Sequence, residues 1–291
     1  MTMEYFSPGN LSEALSLLGK WNGRATLVAG GTSLLPDMRA NLLKPGVLPE
    51  LLIDITRLKD LSYIKRDGKV IRIGALTPIS EMASSRVILK YAPILADAAL
   101  RLGNHLVRNR ATMGGNLADA SPAADTAVPL LALGAEIVME KAGRKRRQIP
   151  IDRFFLGPNK TVRKSDEMIK EILFPKPGPH ARMAYLKLGL RNAAAISVVS
   201  VAVVVEIEGD RCEKARIAFG AVAPKPIRAY GSEEILTGQE ITEPLIEACC
   251  ERARSEVNPI TDIRATAEYR RSMASVLLKR AIQKAIRAGR E

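Results

Sequence analysis

The sequence predicts an α+β fold of two domains, in which the second domain combines an antiparallel sheet with helices. Three observations support this prediction. The chain has 291 residues, 47% of them hydrophobic, which is enough for more than one core. Prolines at positions 175, 177 and 179 interrupt the pattern near the middle of the chain. Before them, strand-like and helix-like patterns of hydrophobic residues are mixed, whereas beyond them long β-like runs are followed by helical periodicity.

The first domain is expected to cover residues 1–177, in two subdomains of about 1–57 and 58–177. It opens as a βαβ unit, whose helix and two strands are predicted over residues 11–18, 25–29 and 51–55. Further strands are predicted over 70–74 and on both sides of the basic run 141–147, where a glycine marks a hairpin tip. The stretch between them is rich in loops yet apolar, which is typical of a core that lines a ligand.

The second domain is expected to cover residues 178–291. Its β-like runs predict strands over residues 183–189, 196–208 and 213–221, and helices are predicted from Ser232 onward. In the last stretch, residues 270–290, basic side chains alternate with apolar ones at helical spacing. That pattern predicts an amphipathic helix with a basic outer face.

Charge and hydropathy argue against several classes of protein. Lysine and arginine outnumber aspartate and glutamate by 44 to 31, and the resulting net charge of +13 suits nucleic acid, an acidic partner surface or an anionic cofactor. No aromatic residues interleave with the basic runs, so we expect no nucleic-acid partner. No apolar run reaches the roughly 20 residues that span a bilayer, and the N-terminus lacks a signal-peptide pattern. We therefore expect a cytoplasmic protein without a transmembrane segment.

Cysteine and histidine usage argues against metal chemistry on this chain. Cys212, Cys249 and Cys250 show no C-x-x-C spacing, so they predict neither a disulfide framework nor an iron–sulfur cluster. The two histidines, His105 and His180, are far apart in sequence and support neither a zinc site nor a histidine-activated nucleophile. We predict no metal ligand and no catalytic acid, base or nucleophile.

Two glycine pairs are the strongest local signals. They lie in what we call the first glycine loop, residues 29–33, and the second glycine loop, residues 112–116. Paired glycines let the backbone approach a ligand closely, so that successive N–H groups converge on a diphosphate without a lysine. A single pair is equally well explained as a tight turn between a strand and a helix. The chain lacks G-x-G-x-x-G and G-K-[ST], so a dinucleotide would need a fold other than the Rossmann or P-loop type.

The wider context of these loops resembles a known family. Residues 27–36 and 107–125, the latter reading VRNRATMGGNLADASPAAD, are similar to the two FAD motifs of the medium, flavoprotein subunits of molybdenum hydroxylases. That family includes carbon monoxide dehydrogenase and xanthine dehydrogenase. The resemblance covers nearly the whole chain; further matching segments are Ala184–Lys187, Gly220–Arg228, Asp262–Arg264 and Glu268–Arg271.

The resemblance implies a first domain of the vanillyl-alcohol-oxidase-like type that binds FAD non-covalently. It assigns the FAD diphosphate to both loops, that is, to Leu27, Val28, Ala29, Gly30, Gly31, Thr32, Ser33 and Leu34 and to Thr112, Met113, Gly114, Gly115 and Asn116. Asp125 would bind the ribityl hydroxyls, Leu102 and Ile169 would pack by the flavin, and Lys187 would lie near the isoalloxazine. Two other interpretations stay open: Asp125 as a helix N-cap and Lys187 as a solvent-facing strand lysine.

The resemblance also implies partners. A separate large subunit holding the molybdenum cofactor would oxidise the substrate, and a [2Fe-2S] small subunit would pass electrons to this flavin, in a dimer of heterotrimers. The acceptor would be NAD+, a quinone or another carrier. Relatives often carry an aromatic residue or an aspartate in the segment that corresponds to Leu190–Ile196, which here has neither. We therefore expect a more open outer face of the flavin.

Two other functions are compatible with the sequence. One is a stand-alone FAD-dependent oxidoreductase with its own organic substrate, although the region after Pro179 shows no evident acid/base pair. The other is a binding or assembly module that keeps the fold without the cofactor. The flavin spectrum of the purified chain separates the second function from both FAD-dependent ones.

Overall fold

The computed structural model of this chain describes residues 3–40 and 49–288. Its buried apolar side chains form three clusters, one around the first helix, one in the middle of the chain, and one built only from residues between 184 and 285. The middle cluster contains residues from two of the three larger β-sheets. The α+β class predicted from the sequence is confirmed.

The first sheet is small and parallel, with strand order β1-β3-β2. Its elements are β1 Glu4–Phe6, α1 Leu11–Trp21, β2 Ala25–Val28, α2 Leu34–Arg39 and β3 Leu51–Asp54. The predicted helix and both predicted strands are confirmed. Strand β1 was not predicted, because it is a short edge strand whose three residues are all exposed and show no alternation.

The second sheet is antiparallel, with five strands in the order β4-β5-β10-β6-β7. The strands are β4 Ile64–Asp67, β5 Val70–Gly74, β6 Glu136–Lys141, β7 Lys145–Pro150 and β10 Glu167–Pro175. Between β5 and β6 come six short helices: α3 Ile79–Ser84, α4 Arg86–Tyr91, α5 Pro93–Arg101, α6 His105–Arg110, α7 Met113–Asp119 and α8 Ala127–Ala132. A separate two-stranded ribbon pairs β8 Phe155–Gly157 with β9 Lys160–Thr161. The hairpin predicted at residues 141–147 is confirmed.

The third sheet is antiparallel and leads into helices, as the sequence predicts. Its strands are β11 Ala181–Leu188, β12 Val199–Glu208, β13 Arg211–Gly220, β14 Ile227–Arg228 and β15 Gln239–Glu240. The helices are α9 Tyr230–Leu236, α10 Glu243–Glu256 and α11 Ala267–Arg287. Helix α11 confirms the predicted basic amphipathic helix as far as residue 287, whereas residues 289 and 290 of that prediction lie outside the described residues. Over residues 3–40 and 49–288, no helix is long and apolar enough to cross a membrane.

Helix α8 connects the second and third sheets. Its residues are buried in the middle cluster, which also includes Tyr185, Ala202 and Ala218 of the third sheet. The segment immediately before α8 carries Asp125. That aspartate is therefore held at the junction between the two sheets.

Candidate functional site

The first glycine loop leaves strand β2 and enters helix α2. Gly31 has a φ of +69°, a left-handed conformation that turns neighbouring N–H groups toward one side of the chain. Among the residues that the structure describes, none accepts a hydrogen bond from the N–H of Gly30, Gly31, Thr32 or Ser33. Four successive donors are thus available for a ligand.

The first glycine loop lies directly against the start of the second. A Cβ atom on Gly30 would lie 2.0 Å from the carbonyl oxygen of Arg110 and 2.9 Å from the Cα of Ala111. Only a glycine permits this approach, because the obstacle is backbone that cannot rotate away. Ser33 adds a second link, since its Oγ donates to Oδ1 of Asp119 at 2.6 Å. That hydroxyl proton is therefore already used within the chain.

The second glycine loop is the first turn of helix α7. Thr112 is the N-cap, and its Oγ1 accepts from the N–H of Gly115 at 3.1 Å. Gly114 donates to the carbonyl of Ala75 at 2.8 Å, and a Cβ there would lie 2.7 Å from the Cβ of Ala75. The N–H groups of Met113 and Asn116 also have acceptors within the chain.

This geometry corrects one expectation about the second glycine loop. Its N–H groups were expected to converge on a diphosphate, but those of residues 113–116 already donate within the chain, to Thr112 or to residues 75 and 77 just after strand β5. Its glycines instead allow close packing of α7 on the sheet. Asn116 keeps a free donor group: its Oδ1 accepts from Thr126 Oγ1 at 2.6 Å, while no described residue accepts from its Nδ2.

Asp125 is the centre of a buried polar network. Its Oδ2 accepts from Lys187 Nζ at 2.6 Å, and its Oδ1 accepts from Tyr185 Oη at 3.0 Å and from Ser197 Oγ at 2.9 Å. Burial raises the pKa of the Asp125 carboxyl, and Lys187 opposes that effect. Burial also raises the pKa of the Tyr185 phenol well above its ordinary value, so the phenol remains a proton donor to Asp125.

Both alternative interpretations of these residues are wrong. Asp125 is not a helix cap, because Thr126 occupies the N-cap position of α8 and the carboxylate accepts only from side chains among the described residues. Lys187 does not face solvent, because only 6% of its side chain is exposed and its Nζ also donates to the carbonyl of Arg101 at 3.0 Å. The network uses three hydrogen bonds of the carboxylate and leaves acceptor capacity for one more.

The two predicted apolar positions, Leu102 and Ile169, are both buried. Leu102 ends helix α5 next to the Arg101 carbonyl that Lys187 contacts, and it is buried. Ile169 is buried in strand β10 beside a bulge, where the carbonyl of Lys170 accepts from the N–H of Ala75. Ala75 also contacts Gly114. The predicted residues thus form one continuous region from the first glycine loop to strand β11.

Two residues of this network were not predicted. Tyr185 and Ser197 supply the hydrogen bonds to Asp125 Oδ1, and both are buried. Tyr185 lies two positions before Lys187 on the same face of strand β11, so period-two spacing was an available signal. Ser197 follows an irregular loop, and its role depends on how that loop folds back. Nothing in the local sequence indicates it.

The segment 190–196 is exposed beside Leu102. Leu190 and Ile196 have 67% and 55% of their surfaces exposed. Ala194 donates its N–H to the carbonyl of Gly103 at 3.3 Å, which holds the segment at the edge of the site. The three cysteines are free and are buried in the cluster of residues 184–285. Over the described ranges, no group of histidine, cysteine and acidic side chains is arranged to hold a metal ion.

Known proteins resemble this chain over nearly its whole length. Residues 1–177 match the family described as FAD binding domain in molybdopterin dehydrogenase, and residues 184–285 match the CO dehydrogenase flavoprotein C-terminal domain. The carbon monoxide dehydrogenase medium chain of Hydrogenophaga pseudoflava is 35% identical, over 97% of this chain and 96% of its own. The glyceraldehyde dehydrogenase medium chain of Sulfolobus acidocaldarius is 32% identical, over 96% of each chain. A solved structure of the Hydrogenophaga enzyme without the Mo-pyranopterin moiety of its cofactor matches with a TM-score of 0.93 at 35% identity, covering 98% of this chain and 97% of the other.

Proposed function

This chain belongs to the FAD-binding flavoprotein subunits of the molybdopterin dehydrogenase family, and we propose that within such an enzyme it relays electrons from a partner subunit to an external acceptor. It is the flavoprotein component of a multi-subunit oxidoreductase, and FAD is its cofactor. Its relatives are named for different substrates, carbon monoxide and glyceraldehyde, although both medium chains match this chain from end to end. We therefore infer that another subunit selects and oxidises the substrate.

The observation that supports this proposal most directly is the first glycine loop. Its four successive N–H groups have no acceptor in the described part of the chain, and its Gly30 abuts the backbone of Arg110. Uncompensated backbone donors at a left-handed turn suit a diphosphate, which needs several hydrogen bonds and no particular side chain. The residues present therefore fit FAD, and we assign the diphosphate mainly to Gly30–Ser33.

The second glycine loop has a different proposed role. Helix α7 holds Asn116, whose amide N–H groups donate to none of the described residues, and Thr126 links Asn116 to the segment that carries Asp125. We propose that the Asn116 amide donates to the cofactor and that Asp125 accepts one ribityl hydroxyl with its remaining acceptor capacity. Met113 and Gly114 contribute by placing the helix flush against strand β5.

Lys187 and Asp125 set the electrostatics of the flavin site. We propose, as the resemblance implies, that Lys187 lies near the isoalloxazine, where a lone cation would favour added negative charge. In this chain the ammonium is 2.6 Å from the Asp125 carboxylate, so the charge of the pair is balanced. We propose that the pair orients hydrogen bonds toward the cofactor and contributes little net charge.

FAD supplies the electron chemistry when bound, because it is stable in one- and two-electron states. The chain itself needs no acid, base or nucleophile for a relay. Its residues bind the cofactor, orient it and exclude water from the Asp125 network. We propose that electrons arrive from a [2Fe-2S] small subunit and leave past the exposed segment 190–196 to NAD+, a quinone or another carrier.

We also propose that the chain divides into two domains. A boundary between residues 177 and 178 agrees with two separate family matches and with a third core that contains only residues between 184 and 285. In this division the first domain supplies the diphosphate site. The second domain supplies Lys187, Tyr185 and Ser197 to a carboxylate of the first.

Reduction of the bound flavin by a partner tests the electron-relay proposal. The complex is isolated from its native source, its subunits are identified, and the FAD-loaded chain is mixed anaerobically with the chemically reduced iron–sulfur subunit. We expect the visible absorbance of the flavin to bleach. A chain that is isolated without partners, and whose flavin is reduced only by a small organic substrate, would instead be a stand-alone oxidoreductase.

A further inference from the structure

Arg270 is among the largest side chains that are fully buried in the described structure, with 2% of its surface exposed. It lies in helix α11, within the segment Glu268–Arg271 that resembles the family. None of the predicted FAD-binding residues accepts a hydrogen bond from its guanidinium group. A buried arginine is costly unless its charge and its donors are satisfied, so its contacts indicate what it stabilises.

The guanidinium joins three separate segments. Nη1 donates to the carbonyl of Val198 at 2.8 Å and to the carbonyl of Ala221 at 3.0 Å. Nη2 donates to Oδ1 of Asp262 at 2.7 Å, a carboxylate whose Oδ2 also pairs with Arg264. Such an arrangement requires the planar fork of arginine, because the single ammonium of lysine cannot reach all three acceptors in the same geometry.

The Val198 contact leads to the Asp125 network from one side. Val198 donates its N–H to the carbonyl of Leu188 at 2.8 Å, which closes the loop between strands β11 and β12. The residue before it is Ser197, whose Oγ donates to Asp125. Leu188 follows Lys187, which forms the salt bridge with Asp125. Arg270 therefore holds the place where the segments of Ser197 and Lys187, two of the three partners of the carboxylate, are joined.

The Ala221 contact leads to the same carboxylate from the other side. Ala221 has a φ of +62°, a left-handed conformation that a residue with a side chain adopts at a cost. Its N–H donates to the carbonyl of Pro122 at 2.8 Å, three residues before Asp125. The hydrogen bond from Arg270 to the Ala221 carbonyl helps to hold this strained turn.

We propose that Arg270 is a positioning residue of the flavin site, which holds the Ser197 loop and the Pro122 turn so that Asp125 and Lys187 keep their places. This inference rests on the proposed FAD-binding role of Asp125. Arg270 acts through two carbonyls and does not touch the cofactor. Its effect therefore reaches FAD only through the Asp125 network.

Arg270→Lys in the FAD-loaded chain tests the inference. We expect the dissociation constant for FAD, measured by flavin fluorescence, to rise at least about fivefold, a coupling typical of residues in one hydrogen-bond network. The visible circular dichroism of the bound flavin should change as well. Arg182→Lys is the matched control: Arg182 Nη1 donates to the carbonyl of Ile286 at 3.1 Å and so joins the same helix to the same sheet at another point. It should change neither measurement.

A double-mutant cycle with Ser197→Ala tests the route. If Arg270 acts through Ser197, the dissociation constant of the double variant for FAD should be close to the higher of the two single-variant values. Fully additive changes in the free energy of FAD binding would refute this route. Wild-type affinity and dichroism in Arg270→Lys, or equal losses in Arg182→Lys, would overturn the inference. If Arg270→Lys does not fold, Asp262→Asn removes the anchor of the guanidinium and carries the same expectation. Failure of the unmodified chain to bind FAD would refute the proposed function itself, a different outcome.

Discussion

Lys187 Nζ lies 2.6 Å from Asp125 Oδ2, and the two side chains are only 6% and 7% exposed. The pair connects strand β11 to the segment that precedes helix α8. Because each charge neutralises the other in a nearly dry environment, loss of one leaves the other buried and unpaired. Stability and cofactor binding are thus coupled at this pair, and they can be separated by mutating both residues.

Asp125→Asn should lower the free energy of unfolding by about 3 kcal/mol, because Lys187 loses its counter-charge while Tyr185 and Ser197 keep an acceptor. The double variant Asp125→Asn with Lys187→Met should recover most of that loss. Its dissociation constant for FAD should nevertheless stay raised about tenfold, the effect of one lost charge-assisted hydrogen bond. Urea unfolding of the apoprotein and flavin titration measure the two effects. Wild-type affinity in the double variant would mean that the pair is only structural.

Gly30→Ala should abolish FAD binding. The added Cβ would lie 2.0 Å from the carbonyl oxygen of Arg110, so the two glycine loops must move apart. Gly115→Ala should be much milder, because its Cβ meets only the side-chain oxygen of Thr112, at 2.8 Å. Flavin content after purification measures the difference. Equal flavin loss in both variants would contradict the distinct roles proposed for the two loops.

Gly19→Ala is the matched control for these glycine substitutions. Gly19 lies in helix α1, and a Cβ there would meet nothing within 4 Å. Alanine favours helix more than glycine, so the free energy of unfolding should rise by up to about 1 kcal/mol. Flavin content should not change. A loss of flavin in this variant would show that substitution of a glycine, and not its place in the site, causes the effect.

Glu140→Gln should make the free energy of unfolding less dependent on pH in the acid range. Burial acts to raise the pKa of Glu140, but hydrogen bonds from Lys170 Nζ and Arg146 Nε, both at 2.7 Å, outweigh it and hold the pKa below its ordinary value of 4.5. The ionised carboxylate therefore stabilises the fold above about pH 4.5, and this contribution is lost as pH falls through the lowered pKa. We expect the variant to be about 1 to 3 kcal/mol less stable at pH 7, with a smaller difference below pH 4. Urea unfolding at both pH values checks this, and an equal difference would refute it.

The flavin should be bound without a covalent link. Neither glycine loop contains histidine or cysteine, and Cys212, Cys249 and Cys250 are buried in the third core. Acid precipitation of the holoprotein should therefore leave all yellow flavin in the supernatant. Flavin that stays with the precipitate would point to a linkage, with His105 near Leu102 as the first residue to examine.

Strands and helices with clear periodicity were predicted well, whereas buried charged strands were not. Strand β10 is central in the second sheet, yet it carries Glu167, Lys170 and Glu171 among its apolar residues. Arg72 of the adjacent strand β5 pairs with Glu171, and Arg147 of β7, two strands away, pairs with Glu167, so both glutamates can be buried. Sequence alone shows neither the pairing nor the central position.

The sequence by itself determined the family and the cofactor, because both were inferred from local motifs around the two glycine pairs. At such pairs only glycine permits close backbone contact. Tertiary structure decided what each motif does. No described residue accepts from the N–H groups of residues 30–33, whereas those of residues 113–116 all have acceptors, because the second loop packs on Ala75 while the first meets the backbone of Arg110. It also decided that Asp125 pairs with Lys187. The two residues are 62 positions apart in the sequence, and they meet only because the third sheet packs on helix α8. Contacts between such distant residues leave no pattern in the local sequence.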